Sequence, residues 1–399
     1  MNKYTIDLAN TCLGCKKPSC QTGCPVGTPI ETMIRMFLSG EIAEAGKMLF
    51  ENNPLSVICS LVCPHEKHCE GHCVLNKRKT AVSVGAIEHY ISDFYMNSTE
   101  FLQPKYNGHN VAIIGSGPAG MALAFILASK GYGITMYDGQ SMIGGVLRYG
   151  IPDFRLDKRV LDKLIDRLKQ LGVKIRRNIM IGKHITVDDL FRDGFKSVFV
   201  SIGINVPKKL NIKGESLGHV HFAVNYLKEP AVYDIGRKVI ILGAGNVAMD
   251  VARTAIRNGA KEVIVMYRKG AENIPAEKHE VECAKIDGVK FHFYKEAIEI
   301  TEDGVVYKKT DTQDETGFES ANSVFISISQ NPNDVLVKNA NINVNEKGLV
   351  NLDETGMTSR KGVFGAGDIV TGARTVVEAV ALSKKVAVSI EEYIEKEYA

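Results

Sequence analysis

Val111-Ala112-Ile113-Ile114-Gly115-Ser116-Gly117-Pro118-Ala119-Gly120 is an apolar run that breaks into a glycine-rich turn. Val239-Ile240-Ile241-Leu242-Gly243-Ala244-Gly245-Asn246-Val247-Ala248 repeats it further along the chain. Each reads as a buried strand, a tight turn and the start of a helix, which is the opening of a dinucleotide-binding unit. In the first copy Gly115 permits the turn. Gly117 lets the backbone approach a pyrophosphate, and Gly120 lets the helix pack on the strand. The free N–H groups at the helix start, around Pro118 and Ala119, suit phosphate oxygens. Gly243, Gly245, Asn246 and Val247 take the same places in the second copy, with Ala248 as the third small residue.

Working outward, short apolar strands alternate with helical periods from residue 106 onward, the texture of a parallel sheet. Strands are expected at 111–114, 134–137, 198–201 and 263–267, and helices at 119–130, 156–171 and 375–393. A β-rich stretch covers 289–328. The pattern restarts at Arg237, so the fold is expected to be α/β with two nested Rossmann-like domains. The first would cover residues 106–233 and 335–399, and the second 234–334. Residues 1–105 read differently, as cysteine loops with two short helices over 30–49, broken near Ser39-Gly40, and another over 82–95.

The chain has 399 residues, 45% hydrophobic and 24% charged, with a formal net charge of +3. That balance leaves no electrostatic footprint for nucleic acid or an anionic membrane. No apolar run is long enough to span a bilayer, and Met1-Asn2-Lys3-Tyr4-Thr5-Ile6-Asp7 is no signal-peptide core. A cytoplasmic protein is expected, where thiols stay reduced. Eight of the nine cysteines nevertheless lie before residue 74. Metal ligation explains such clustering better than disulfides do.

The spacing is Cys12-x2-Cys15-x4-Cys20-x3-Cys24-Pro25, then Cys59-x3-Cys63-Pro64-x5-Cys69-x3-Cys73. Eight closely spaced thiolates suit two 4Fe-4S clusters, and proline after cysteine is common in ferredoxin runs. Structural zinc is the alternative, because His65, His68 and His72 lie among the second group. With iron–sulfur the histidines are expected to be polar surface residues. Outside this block Cys283 has no partner and is expected to be a small buried hydrophobe. The redox cysteine pair of a disulfide reductase is therefore missing, and so is any Gly-x-Ser-x-Gly nucleophile.

The two nucleotide sites differ in their decoration. Asp138, at the end of the second strand, can accept from a ribose hydroxyl. Gly365-Ala366-Gly367-Asp368 puts an acid where a ribityl chain would run. The helix opening at Thr375-Val376-Val377 aims its positive end at a flavin pyrimidine ring. FAD is the expected cofactor of the first fold. In the second, Tyr267 falls where Asp138 does, followed by Arg268 and Lys269. Two cations and no carboxylate favour NADPH over NADH.

With Gly144-Gly145-Val146-Leu147-Arg148-Tyr149-Gly150-Ile151-Pro152, Cys69-Glu70-Gly71-His72-Cys73, Gly243 to Asp250, Ile274-Pro275-Ala276 and Thr375-Val376-Val377 in view, the chain resembles the glutamate synthase small (beta) subunit family. That family includes the electron-input parts of dihydropyrimidine dehydrogenase and of an electron-bifurcating ferredoxin:NADP oxidoreductase. The resemblance spans essentially the whole chain. It implies crossed ligation, with Cys12, Cys15, Cys20 and Cys73 holding one cluster. Cys24, Cys63, Cys69 and Glu88 would hold the other, leaving Cys59 as a spare thiol. On spacing alone Cys59 would be a ligand. The resemblance also lays Gly144, Gly145, Arg148, Gly150 and Ile151 along the isoalloxazine, with Gly203 nearby. It implies that hydride passes from NADPH to FAD and that single electrons leave through the clusters to a partner subunit. The partner would be a glutamate synthase large subunit or, alternatively, a dihydropyrimidine dehydrogenase-type or ferredoxin-linked enzyme. Hydride transfer needs alignment more than a protein acid or base, so no catalytic residue is named. The zinc alternative would instead make the chain a nucleotide-sensing protein without turnover. Relatives often read Ala-Thr-Gly where this chain has Ser201-Ile202-Gly203. They read Ile-Gly-Gln at Ile328-Ser329-Gln330, and proline at Asp157.

Overall fold

In a computed structural model of the chain, residues 2–78, 80–183, 185–312 and 315–398 are described. They fall into two compact units. One comprises Met1–Arg148, Asp153–Ile204 and Pro332–Ala399, the other Tyr149–Pro152 and Asn205–Asn331. No helix among the described residues is long and apolar enough to cross a membrane.

The larger unit is built on five parallel strands in the order Val363–Gly365, Ser197–Val200, Asn110–Ile114, Gly133–Tyr137, Lys174–Arg176. The expected strand Val111 to Ile114 is central and wholly buried. That explains its unbroken apolar sequence, since a sheet covered on both faces has no polar side. The helix Pro118–Ala128 follows directly, buried nearly all round, and packs on the terminal helix Val376–Tyr398. The helix Lys158–Gln170 lies along the same unit and buries Leu161, Leu164, Ile165 and Leu168 on one face. Asp157, the departure from proline, N-caps it by accepting from the Arg159 N–H at 2.9 Å.

The front of this unit is helical. Ile30–Leu38 and Ile42–Asn52 break at Ser39-Gly40 as expected, with Gly40 at φ 85°. Their apolar faces meet the helix Val84–Ser98 around Met33, Phe37, Leu49, Ile87 and Ile91. Phe50 stands edge-on to Phe125 at 5.3 Å and so joins the front helices to the helix Pro118–Ala128. Three front helices lie where the sequence suggests loop, Lys3–Ala9, Ser19–Thr22 and Ser56–Val62. The last contains Cys59 and is too short to show a period, with its first five residues buried in one run.

The smaller unit repeats the plan. Its parallel sheet runs Val220–Phe222, Ser323–Ile326, Lys238–Leu242, Glu262–Met266, Lys290–His292. The β-rich stretch supplies an antiparallel meander, Lys295–Thr301, Gly304–Lys309 and Thr316–Ser320, before Ser323–Ile326 returns beside Lys238–Leu242. Past that strand, Ser329 holds φ 125°. This is glycine's region of backbone space, and glycine is what the resemblance leads one to expect there. Ser329→Gly is expected to raise stability by about 1 kcal/mol, since the strain of a side chain at positive φ is of that size. Denaturant unfolding of the two proteins measures the difference, and an unchanged or lower midpoint would contradict it.

Candidate functional site

The first glycine turn closes tightly. Gly115 adopts φ 102°, and its N–H donates to the Tyr137 carbonyl at 2.8 Å. A Cβ there would stand 2.4 Å from the Ser201 carbonyl oxygen, so only glycine fits. A Cβ on Gly120 would lie 2.1 Å from the Gly115 oxygen. Gly117 is the N-cap of Pro118–Ala128 and brings no capping side chain, which leaves the helix-start N–H groups open to an anion. Asp138 sits just beyond the second strand. Its Oδ2 accepts from the Ser116 N–H at 2.9 Å and from the Ser116 hydroxyl, and its Oδ1 from the Gln140 N–H at 2.8 Å. The Ser116 hydroxyl in turn accepts from the Gly144 N–H at 3.1 Å. Ser116 thus links turn, acid and the glycine-rich segment, a role the sequence signalled only by its place between two glycines.

Gly144 and Gly145 both hold positive φ, and a Cβ on Gly145 would meet the Gly117 Cα at 2.7 Å. This close backbone contact leaves a channel floor without side chains. Arg148 turns away to Asp162, with its Nε donating to the Ile143 carbonyl at 3.4 Å. Gly150 and Ile151 group with the smaller unit. Gly203 holds φ 65° with open space around it.

Gly367, at φ 78°, brings the second acid-bearing loop against the same helix start, its Cβ position 3.1 Å from the Ala119 Cβ. Asp368 follows, accepting from the Arg374 N–H at 3.2 Å. Burial pushes its carboxyl up to about 6. Thr375 and Glu378 form a reciprocal capping box that opens the long helix at Val376. The Thr375 hydroxyl donates to Glu378 at 2.6 Å, and the Glu378 N–H returns to Thr375 at 3.3 Å.

The second turn reproduces the first. Gly243 has φ 119° and donates to Met266 at 3.1 Å, and its Cβ position lies 2.2 Å from the Ser327 carbonyl oxygen. Gly245 caps Asn246–Arg257 without a capping side chain. The Asn246 Oδ1 instead accepts from the Glu277 N–H at 2.8 Å, which pins the loop holding Ile274-Pro275-Ala276. Val247 packs on the core and Ala248 is fully buried. Because Gly115 pairs with Tyr137 and Gly243 with Met266, Tyr267 occupies the place of Asp138. Its hydroxyl donates to the Asn273 carbonyl at 3.0 Å. Arg268 is 64% exposed and lies 3.6 Å from Glu296, while exposed Lys269 makes no ion pair with a described residue.

The front-end cysteines divide into two groups. Cys12, Cys15, Cys20 and Cys73 line one cavity, closed at its back by Ile30, Ile34, Val82 and Val84. Burial, with the nearby Cys73 and Cys12 thiols, raises the Cys20 thiol. Cys24, Cys59, Cys63, Cys69 and Glu88 form the second group. Desolvation is the largest cause that raises Cys59, Cys63 and Cys69, and charge on Glu88 and Cys24 adds to each. Glu88 is 7% exposed, and burial pushes its carboxyl up to about 8. Five acidic groups share one nook. Such burial is costly unless a cation neutralises them, so the donor set suits a cationic iron core. Among the described residues no three His, Cys, Asp or Glu side chains converge tightly enough for one metal ion. Cys12, Cys15, Cys20 and Cys73 on the walls of one cavity would hold an iron–sulfur cluster and give it an electron-carrying role. Glu70 aligns the two halves of the nook by accepting from the Gly85 N–H at 3.0 Å, at the start of the Glu88 helix.

Two expectations need correction. His65 is not a surface residue. It is half-buried beside Gly85 with its Nε2 shielded from solvent, and this desolvation, with His68 nearby, lowers its ring to about 4. Cys283 is half-buried rather than buried, with its sulfur 3.6 Å from the His279 Nε2.

Residues 109–382 match the pyridine nucleotide-disulphide oxidoreductase family, and residues 1–100 match the dihydropyrimidine dehydrogenase domain II, 4Fe-4S cluster family. The second match sets structural zinc aside. The chain is 32% identical to the glutamate synthase [NADPH] small chain of Escherichia coli, over 97% of this chain and 91% of that one. It is 31% identical to the NAD-dependent dihydropyrimidine dehydrogenase subunit PreT of Salmonella typhimurium, over 98% and 94%. Among solved structures, the thioredoxin reductase of T. acidophilum superposes with a TM-score of 0.60 at 22% identity, over 72% of this chain and 99% of that one. The chain belongs to the glutamate synthase small-chain family. It is an oxidoreductase that uses a flavin, a pyridine nucleotide and iron–sulfur.

Asp368 yields a pH test. Its folded value of about 6 lies above the ordinary 3.8, so the fold favours the uncharged carboxyl. The associated stability is complete below about pH 4 and is lost as pH rises through 6. Protein stripped of nucleotide and carrying Asp368→Asn is expected to match the parent at pH 4 and exceed it by about 2–3 kcal/mol at pH 8. Urea unfolding at both pH values gives the comparison. An equal difference at both would show that burial does not govern this carboxyl.

Proposed function

We propose that the chain takes hydride from NADPH, in preference to NADH, and passes electrons singly through two 4Fe-4S clusters to a partner subunit of the glutamate synthase large-chain type in the cytoplasm. Bound flavin accepts a hydride at once and releases its electrons singly, and iron–sulfur clusters accept them singly. The chain's own residues bind, orient and shield. Gly115, Gly117 and the N–H groups from Pro118 to Gly120 hold a pyrophosphate without a side chain in the way. Asp138 receives a ribose hydroxyl by exchanging its hold on Ser116. Gly144, Gly145 and Gly203 leave room for a flat ring, and Asp368 stands ready for the ribityl chain. The N-terminus of the helix at Val376, fixed by the Thr375–Glu378 box, favours negative charge on the ring's pyrimidine edge.

The observation that carries the reading is the exchange of Asp138 for Tyr267-Arg268-Lys269 at equivalent places in the two turns. The acid suits a bare ribose. The two cations suit a 2′-phosphate, and Arg268 exchanges its exposed pairing with Glu296 for one with the phosphate. Arg268→Ala together with Lys269→Ala is expected to lower kcat/KM for NADPH by about 10- to 100-fold, the worth of two charge-assisted contacts, and to leave NADH nearly unchanged. Steady-state oxidation with a quinone acceptor measures both. An equal loss for both nucleotides would defeat the assignment.

The clusters are assigned as Cys12, Cys15, Cys20 and Cys73 for one, and Cys24, Cys63, Cys69 and Glu88 for the other, with Cys59 spare. The shared cavity supports the first set. Mutual charge among buried groups supports the second without separating Cys59 from the rest. Anaerobically prepared Cys59→Ser is expected to keep about eight irons per chain, and Cys24→Ser about four, four per cluster lost. Iron and acid-labile sulfide analysis decides it, and loss of iron from Cys59→Ser would move the ligand role to that thiol. The likeness to PreT favours a second reading of the partner, a pyrimidine-reducing subunit. Whichever candidate partner is reduced by the NADPH-fed chain identifies it.

A further inference from the structure

We propose that the rim of the Cys12–Cys15–Cys20–Cys73 cavity is a docking surface for a redox protein that presents its one-electron acceptor at the centre of an acidic face. The proposal rests on the cluster reading above.

The two cysteine groups differ in exposure. Cys69 and Glu88 of the second ligand set are buried and Cys24 and Cys63 partly exposed, whereas Cys12, Cys15, Cys20 and Cys73 of the first are all partly exposed. The cavity lined by those four is therefore the side from which an electron reaches another protein. Its lip is apolar. Leu13, between Cys12 and Cys15, is 63% exposed, and Val74, next to Cys73, is 45% exposed. Neither has a reason to face water in an isolated chain, and exposed apolar side chains grouped in this way mark contact sites.

The rim is cationic. Lys16 and Lys17 follow Cys15, and Lys77 and Arg78 end the single turn that follows Cys73. All four are exposed, and none makes an ion pair with a described residue. The nearest carboxylate on the cavity wall, Glu31, is occupied by Arg35 at 3.6 Å. Four free cations around an apolar lip stand out in a chain whose net charge is only +3. An apolar centre with a charged rim is the build of small transient interfaces, in which the rim sets the encounter rate and the choice of partner. Complementarity then requires carboxylates on the partner.

Two haem proteins of opposite charge serve as probes of the holoenzyme. Cytochrome b5 has an acidic face around its haem edge, and cytochrome c a basic one. A neutral quinone, which needs no docking, is the control. At low salt the quadruple variant K16E/K17E/K77E/R78E is expected to reduce cytochrome b5 about tenfold more slowly than the parent and cytochrome c faster, with quinone reduction and iron content unchanged. For the parent, the cytochrome b5 rate is expected to fall steeply with added salt. The milder K16Q/K17Q variant is expected to lie between. Cytochrome b5 rates that ignore both the substitutions and salt would overturn the proposal. So would salt-sensitive binding to phosphatidylserine vesicles without a salt-sensitive cytochrome b5 rate, which would assign the cations to lipid. If the parent failed to reduce even the quinone with NADPH, the electron-relay reading itself would fall, an outcome separable from failure of the docking surface.

Discussion

Two backbone turns carry the rest of the structure. At Gly115 and Gly243 the chain leaves a buried strand at φ 102° and 119°, and a carbonyl just past the neighbouring strand, Ser201 or Ser327, stands where a side chain would begin. Contact that close is what brings the following helix end-on to the sheet edge. The N-caps, Gly117 and Gly245, add no side chain to satisfy the first N–H groups. An ordinary helix fills that need with Ser, Thr, Asp or Asn. Here it stays open, and a phosphate completes the cap. A methyl at either turn would do more than crowd it. It would push helix from sheet and close the anion site by the same movement.

In the proposed reading, two like turns bind different molecules because of what lies one residue past the second strand. Asp138 and Tyr267 make equivalent backbone bonds, their N–H groups donating to the Arg176 and His292 carbonyls at 2.9 Å each. The local fold therefore does not choose between them. Chemistry at that single place does, through a carboxylate already held by Ser116 in one unit and by cations on an open edge in the other. The front-end helices add a second kind of selectivity. Their inner nook gathers thiols and a carboxyl that burial keeps uncharged, an arrangement with a purpose only when positive charge arrives.

Much of this was legible in the sequence, for physical reasons that also explain what was not. The glycine turns could be read because backbone strain restricts those positions to glycine. The central strands could be read because burial on both faces removes every polar residue. The break at Ser39-Gly40 followed from the same logic. Ser56–Val62 escaped because seven residues, five of them buried in one run, show no helical period. The burial of His65 escaped because a histidine's environment is set by Gly85, twenty places away in the chain. The division of the cysteines followed from resemblance alone, since spacing put Cys59 on the same footing as its neighbours. Ser116 was passed over because a motif names its glycines and leaves the residue between them free.

One element connects the flavin fold to the cysteine-bearing helices. The helix Val376–Tyr398 begins at the capping box beside Asp368 and runs back under the front end. Lys384, nine residues past Thr375 and so about 13 Å along the axis, donates to the Asn52 carbonyl at 3.0 Å and its Oδ1 at 2.6 Å. Asn52 closes the helix Ile42–Asn52, so the ammonium caps carbonyls that have no partner of their own. Burial lowers the Lys384 ammonium, and the Cys24 thiol partly restores it. The contact thus fixes the second cysteine group against the same rigid rod whose N-terminus faces the candidate flavin site. A gap spanned by a loop would vary with the loop. A gap spanned by one helix, capped at its start and anchored a few turns later by a half-buried lysine, has a length set by covalent geometry.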